Sequence, residues 1–260
     1  MTKRNLFIIF ILLTVFTVSS YGQKWKLRRY EASICIGTSN FYGDIGPSSN
    51  TETGMFKDVQ LQYTRPSMAL GLRYKLAGDM AVKMNLIYGF VKGSDLGSLN
   101  WGENHRSYSF TSTIFEPSFQ FEYYLIPESR STGSAALFNR RGMVNNYSKV
   151  YLYLFGGIGG VIGNPYIKDS TGIIVPLKSF SKFGIAFPLG IGLKYTIDSK
   201  WSLGFELGRR FTTTDYIDGI KPPSSQHKDI YDFGMFSAIY KIKTDRRGMP
   251  IFGKKSGYRR

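Results

Sequence analysis

Residues 183–197 read FGIAFPLGIGLKYTI, and their pattern decides the fold. Phe183, Ile185, Phe187, Leu189, Ile191, Leu193, Tyr195 and Ile197 recur at period two, against Gly184, Ala186, Pro188, Gly190, Gly192, Lys194 and Thr196. Successive side chains of a strand point to opposite faces, so an unbroken apolar row here backs onto a row of small residues. A soluble sandwich also alternates, but it seldom opposes an apolar row with glycines. Small inward residues suit a narrow barrel, whose interior receives side chains from every wall.

The same logic extends outward from this stretch. After Asp198-Ser199-Lys200, residues 201–211 set Trp201, Leu203, Phe205 and Leu207 against Ser202, Gly204, Glu206 and Gly208, which predicts a tight hairpin. Met68, Leu70, Leu72, Tyr74 and Leu76 alternate with Ala69, Gly71, Arg73 and Lys75. Beyond Ala77-Gly78-Asp79, Val82, Met84, Leu86, Tyr88 and Phe90 alternate with Ala81, Lys83, Asn85, Ile87 and Gly89. Phe115, Phe119, Phe121, Tyr123 and Leu125 oppose Ile114, Glu116, Ser118, Gln120 and Glu122. Three further segments are strand-like. Residues 30–36 set Glu31, Ser33 and Cys35 against an apolar face; residues 150–162 are apolar on both faces; residues 230–242 change face partway along.

Eight strands of about ten residues predict an all-β chain: an eight-stranded antiparallel transmembrane barrel of the outer-membrane type. Lipid cannot satisfy backbone polar groups, and only closure removes sheet edges. The lumen is expected to hold Arg73, Lys75, Lys83, Glu116, Glu122, Lys194 and Glu206. Mixed signs at that density predict an internal plug of ion pairs rather than an open pore.

Composition and the N-terminus bound the compartment. Lys and Arg number 34 against 18 Asp and Glu, giving +16, and aromatics make up 16% of the 260 residues. Mean hydropathy is −0.17, which excludes a polytopic helical membrane protein, since that needs several apolar runs of about 20 residues. So many aromatics argue against a disordered polycation, and the lone Cys35 against a disulfide scaffold. Lys3 and Arg4 precede an apolar run over 6–18, and Ser20-Tyr21-Gly22 offers a small-x-small site. Residues 1–22 are therefore expected to be a cleaved secretory signal peptide, with the barrel over 23–243 and a basic periplasmic tail over 244–260. Export to the bacterial outer membrane makes lipid the surroundings and removes nucleic acid as a partner.

Short connections after the second and sixth strands, and long ones elsewhere, put the N-terminus in the periplasm. The long outer loops are then expected over about 37–64, 92–110, 163–182 and 212–229; the insert at 126–149 falls on the periplasmic side. That side collects Lys24, Lys26, Arg28, Arg29, Arg140, Arg141, Arg246, Arg247, Lys254 and Lys255, and carries most of the positive excess. Such a rim is either solvated, in contact with anionic phospholipid, or a docking surface for periplasmic partners.

Catalytic and metal chemistry are not expected, and no cofactor is. His105 and His227 lie in separate predicted loops, so no ligand spacing arises. Glu103, His105 and Ser107 or Ser109 could be grouped as a hydrolytic set, but loop polar residues fall this close by chance. Residues 156–163 (GGIGGVIG) do not fit G-x-G-x-x-G. Asp215 and Asp218 read as turn formers.

Certain blocks resemble a known family. They are Asn40-Phe41-Tyr42-Gly43-Asp44-Ile45-Gly46, Arg65-Pro66, residues 153–159 (YLFGGIG) leading to Asn164-Pro165, and above all residues 188–219 with LGIGLKY, KWSLGFELGRR and TTTDYIDGI. Together they look like the PorG-type outer-membrane barrels of the Bacteroidetes type IX secretion system. The insert Phe138-Asn139-Arg140-Arg141-Gly142 also fits. The resemblance implies a non-enzymatic barrel tied to a periplasmic secretion ring of lipoprotein and partner subunits. The basic tail after Lys243 departs from that pattern. The other assignment the residues allow is a small OmpA/OmpX-like barrel acting as a pore or surface-binding protein.

Overall fold

A computed structural model describes residues 28–42, 61–95, 108–126, 149–176, 182–219, 228–245 and 248–251. The expected signal peptide, the core of the 126–149 insert and the end of the tail lie outside them. Eight antiparallel strands run in chain order around a closed barrel: β1 Tyr30–Tyr42, β2 Arg65–Lys75, β3 Met80–Ser94, β4 Ser109–Tyr124, β5 Val150–Lys168, β6 Phe183–Thr196, β7 Trp201–Thr212 and β8 Ile230–Ile242. β1 closes the wall by pairing with both β2 and β8.

The register sets the barrel's shape. One row of paired residues starts at Tyr30 and passes through Tyr74, Val82, Phe121, Gly156, Leu189, Arg209 and Asp232. It returns to β1 at Asn40, ten residues beyond its start. That stagger obliges the strands to tilt by about 35–45° and leaves an interior only wide enough for side chains.

Burial alternates along each wall as the pleat requires. Leu70, Phe119, Leu189 and Phe236 stand out into the lipid, while Lys83, Gln120, Lys194 and Ile239 are buried inside. Trp201 and Tyr240 pack edge to face at the turn-side edge of the outer belt, with centroids 5.0 Å apart, where interfacial aromatics gather. An apolar belt around a closed eight-stranded wall places the chain in a bacterial outer membrane.

Three details depart from expectation. β1, β3 and β5 run past the predicted strand ends to Tyr42, Ser94 and Lys168. Above the lipid belt a ladder needs backbone partners rather than apolar alternation, so periodicity stops before pairing does. β8 does not change face: Tyr231, Phe233, Met235, Ser237, Ile239 and Lys241 all point inward. What changes along it is the chemistry of the lumen it faces. Finally, the segment from 244 begins as a tight hairpin, with Thr244 bridged to Pro250 and Gly248 at φ 80° closing the turn.

Candidate functional site

The lumen is filled in two storeys. On the turn side, Glu31 of β1 stands directly across from Arg73 of β2. Glu31 accepts from Arg73 Nη1 at 3.0 Å, Lys75 Nζ at 2.9 Å and Lys194 Nζ at 2.6 Å. Arg73 also forks onto Glu122, with Nε 2.7 Å from Oε2 and Nη2 2.9 Å from Oε1. Glu206 Oε1 accepts from Lys83 Nζ and the Tyr153 hydroxyl, each at 2.6 Å, with Arg73 Nη2 at 3.4 Å. Tyr124 donates to Glu122 Oε2 at 3.0 Å, and its ring packs 4.9 Å from that of Tyr153. Groups from four other strands, Glu31 of β1, Glu122 of β4, Tyr153 of β5 (3.3 Å) and Glu206 of β7, thus converge on the Arg73 guanidinium. Buried charges survive only when paired and hydrogen-bonded, and this set is both.

The outer storey is apolar. Ile87, Val91, Ile114, Val161, Ile167, Phe233 and Met235 pack together, and Ile217 joins them from the segment after β7. That segment is drawn into the mouth by hydrogen bonds: Ile217 N donates to Asp229 Oδ2 at 2.8 Å, and Thr212 Oγ1 donates to the Asp229 carbonyl at 2.7 Å. Asp215 and Asp218 are buried there, with Asp215 facing Lys228 at 3.8 Å. Between the storeys Tyr231 donates to Glu116 Oε2 at 2.7 Å, and Arg210 lies 3.6 Å from that oxygen and 4.7 Å from the Phe233 ring centroid.

All seven lumen residues named from the sequence point inward and are buried. Six of them, all but Glu116, meet in the turn-side network; Glu116 sits apart with Arg210 and Tyr231. Glu31, on the correct face of the first strand, is the hub that reasoning from charge density passed over. Tyr153 was missed because β5 is apolar on both faces; its hydroxyl was the available signal. Arg209 and Arg210 are adjacent, and alternation divides them: Arg210 points in, while Arg209 faces outward with Nε 2.8 Å from Asp232 Oδ1.

Of the predicted rim residues, Arg28 and Arg29 are described. Arg29 Nη1 donates to the Tyr74 hydroxyl at 3.1 Å, and its carbonyl accepts the Lys75 amide. Lys24, Lys26, Arg140, Arg141, Arg246, Arg247, Lys254 and Lys255 lie outside the described residues, as do Glu103, His105, Ser107 and His227. Ser109 opens β4. Outside the membrane, the exposed Asp198 carboxylate accepts from the Trp201 and Lys200 amides, each at 2.6 Å, which lowers its pKa.

A family model described as a domain of unknown function (DUF6089) matches residues 3–243. No curated protein matches the chain. Among solved structures, the attachment invasion locus protein Ail of Yersinia pestis is 14% identical, covering 82% of this chain and 98% of that one, with TM-score 0.41. A major outer membrane protein of Thermus thermophilus is 13% identical over 80% of this chain and 98% of that one, with TM-score 0.41. The outer membrane protein OprG of Pseudomonas aeruginosa is 11% identical over 84% and 98% respectively, with TM-score 0.39.

Proposed function

We propose, from the premise that this chain belongs to the DUF6089 family, that it is a closed, non-enzymatic barrel that anchors periplasmic secretion subunits to the outer membrane. The observation that carries this reading is a lumen filled from both ends, by an ionic storey and an apolar one. A barrel that neither conducts nor holds a reacting group in its lumen acts through its ends. The turn-side end is basic in sequence: Arg28 and Arg29 open it, and Arg140, Arg141, Arg246, Arg247, Lys254 and Lys255 belong to the segments expected there. An acidic face on a periplasmic ring complements it. The PorG-type resemblance names the apparatus: type IX secretion.

The test is co-purification of the tagged barrel from its own envelope at physiological salt. Gln at Arg140, Arg141 and the tail cations should release the periplasmic subunits. Their unchanged recovery would sink the reading. Planar-bilayer recording should show no steady conductance.

A surface-binding role has its own support. β4 and β5 pair up to Ser109 and Lys168, whereas β6 begins opposite Ile162. The projecting edge carries exposed Tyr166, Ile173 and Ile174 at 56%, 66% and 62% exposure. Capture of an extracellular ligand by whole cells, lost with Ile173→Ser/Ile174→Ser while periplasmic co-purification persists, would favour this role.

A further inference from the structure

The lipid-facing wall is not uniform. Across β1, β2 and β3 its outer half holds a groove of about 400 Å³, a volume within the range of small-molecule sites. Thr38 and Pro66 form its floor, two short side chains on outward rows that otherwise carry Ile34, Ile36, Met68 and Leu70. The register partner of Thr38 on β8 is Gly234, which has no side chain to fill the space beside it. The walls are aromatic and braced: Phe236 packs on Phe205 with centroids 4.6 Å apart, and Tyr88 on Phe90 at 5.5 Å. Because the recess opens onto lipid, what fills it is hydrocarbon, an acyl chain whose dispersion contacts an empty recess would forfeit.

Directly above the groove, the outward face turns polar before the apolar belt ends. Asn40 follows Thr38 on the outward row of β1, and its Oδ1 accepts from Thr64 Oγ1 at 2.7 Å. Its register partner Asp232 accepts from Arg209 Nε and Nη2 at 2.8 and 2.9 Å, and that guanidinium lies 5.2 Å from the Tyr42 ring centroid. Phe211 and Ile230 pair one outward step beyond Arg209 and Asp232, so the ion pair sits below apolar residues of the same wall. Charges on a lipid-facing wall are costly away from the interface. A carboxylate offers about four lone-pair sites, and Arg209 takes two of those on Asp232, which leaves it capacity to accept more.

Two cations stand at the rim. Lys92 is the next outward residue after Phe90 on β3, and Arg65 precedes Pro66, with its Nη1 donating to the Thr64 carbonyl at 3.2 Å. From the membrane upward the face thus offers three levels. The first is a slot for one chain, the second holds acceptors at the depth where a chain joins its headgroup, and the third is positive charge where the headgroup meets water. A glycerophospholipid brings only ester acceptors to the middle level, which Asp232 cannot use. A chain joined by an amide and bearing a hydroxyl brings donors there, and phosphate on its headgroup complements Lys92 and Arg65.

We infer that this face binds one molecule of a phosphorylated glycolipid with hydroxylated, amide-linked acyl chains, the lipopolysaccharide class of the outer leaflet. One chain lies in the groove over Thr38, its amide and hydroxyl donate to Asp232 and the Asn40 carboxamide, and its phosphate meets Lys92 and Arg65. The site belongs to the outer wall and stands whether or not the barrel anchors a secretion ring.

The test uses the full chain folded in detergent, with native mass spectrometry as the readout. The probes are diphosphoryl lipid A, its dephosphorylated form and phosphatidylethanolamine, and retention of the folded gel mobility confirms each variant. One lipid A per barrel is expected, held about tenfold more tightly than phosphatidylethanolamine. Thr38→Leu, which fills the groove floor, should lower that affinity about tenfold, while Thr113→Leu on the outward row of β4 should not. Lys92→Gln with Arg65→Gln should lower it by a similar factor without changing the binding of dephosphorylated lipid A. Equal retention of lipid A and phosphatidylethanolamine, or a Thr38→Leu barrel that binds as the native chain does, would overturn the site and leave an ordinary lipid annulus. Binding indifferent to phosphate would overturn the headgroup assignment. A photoreactive benzoylphenylalanine in place of Met68 should cross-link to the glycolipid in the native envelope. A cross-link to a protein or to a second copy of this chain would show that protein fills the groove, and would overturn the proposal.

Discussion

At the turn side of the lumen Arg73, Lys75, Lys83 and Lys194 face Glu31, Glu122 and Glu206; at the outer side Ile87, Ile114, Val161, Phe233 and Met235 touch one another. Both fillings close a barrel of the same bore. They differ in what holds them. Apolar packing is non-directional and loses free energy in proportion to the volume removed. An ion network is directional, and its desolvation cost comes close to cancelling its attraction, so its members depend on one another far more than on the total. The turn-side plug is therefore specified by geometry and the outer plug by shape.

The largest effect should come from Arg73→Met, which strands Glu31 and Glu122 in the lumen. A loss of about 3–5 kcal/mol is expected in urea unfolding from micelles. Adding Glu122→Leu should recover part of it; strict additivity of the two losses would break the contrast. Next is Tyr231→Phe, which takes a donor from the buried Glu116 carboxylate and should cost about 1–3 kcal/mol. In the outer storey, Ile114→Val should cost about 0.5–1.5 kcal/mol, and no second substitution should rescue it. The smallest effect belongs to Asp198, outside both plugs. Its pKa is held down by the Trp201 and Lys200 amides, so its contribution is present above the ordinary carboxylate pKa. That contribution is lost as pH falls through the depressed value. The stability gap between the native chain and Asp198→Asn should shrink on acidification, as thermal unfolding in mildly acid buffers would register.

The comparison also explains how far the chain could be read unaided. Residues 183–197 disclose both faces of their strand because one is apolar and the other small. The inward charges of β2, β3, β4, β6 and β7 were legible for the same reason: a charge on a lipid-facing row would be costly. β5 hid Tyr151, Tyr153 and Phe155 because its two faces have equal polarity. β8 looked as though it changed face because it crosses from the apolar storey to the ionic one, from Phe233 to Lys241. Periodicity reports the contrast between two environments; where the lumen is itself apolar, that contrast vanishes.

The local pattern alone determined eight strands, and the inside and outside of six of them, because the side-chain period of a strand is two whatever surrounds it. Which inward charge meets which could not be read that way. Lys194 and Glu31 are 163 residues apart and bond at 2.6 Å because the closed wall, staggered by ten residues, brings β6 and β1 across a narrow lumen. Closure and shear are properties of the whole ring of ladders. No single strand carries them, so only the tertiary structure could decide them.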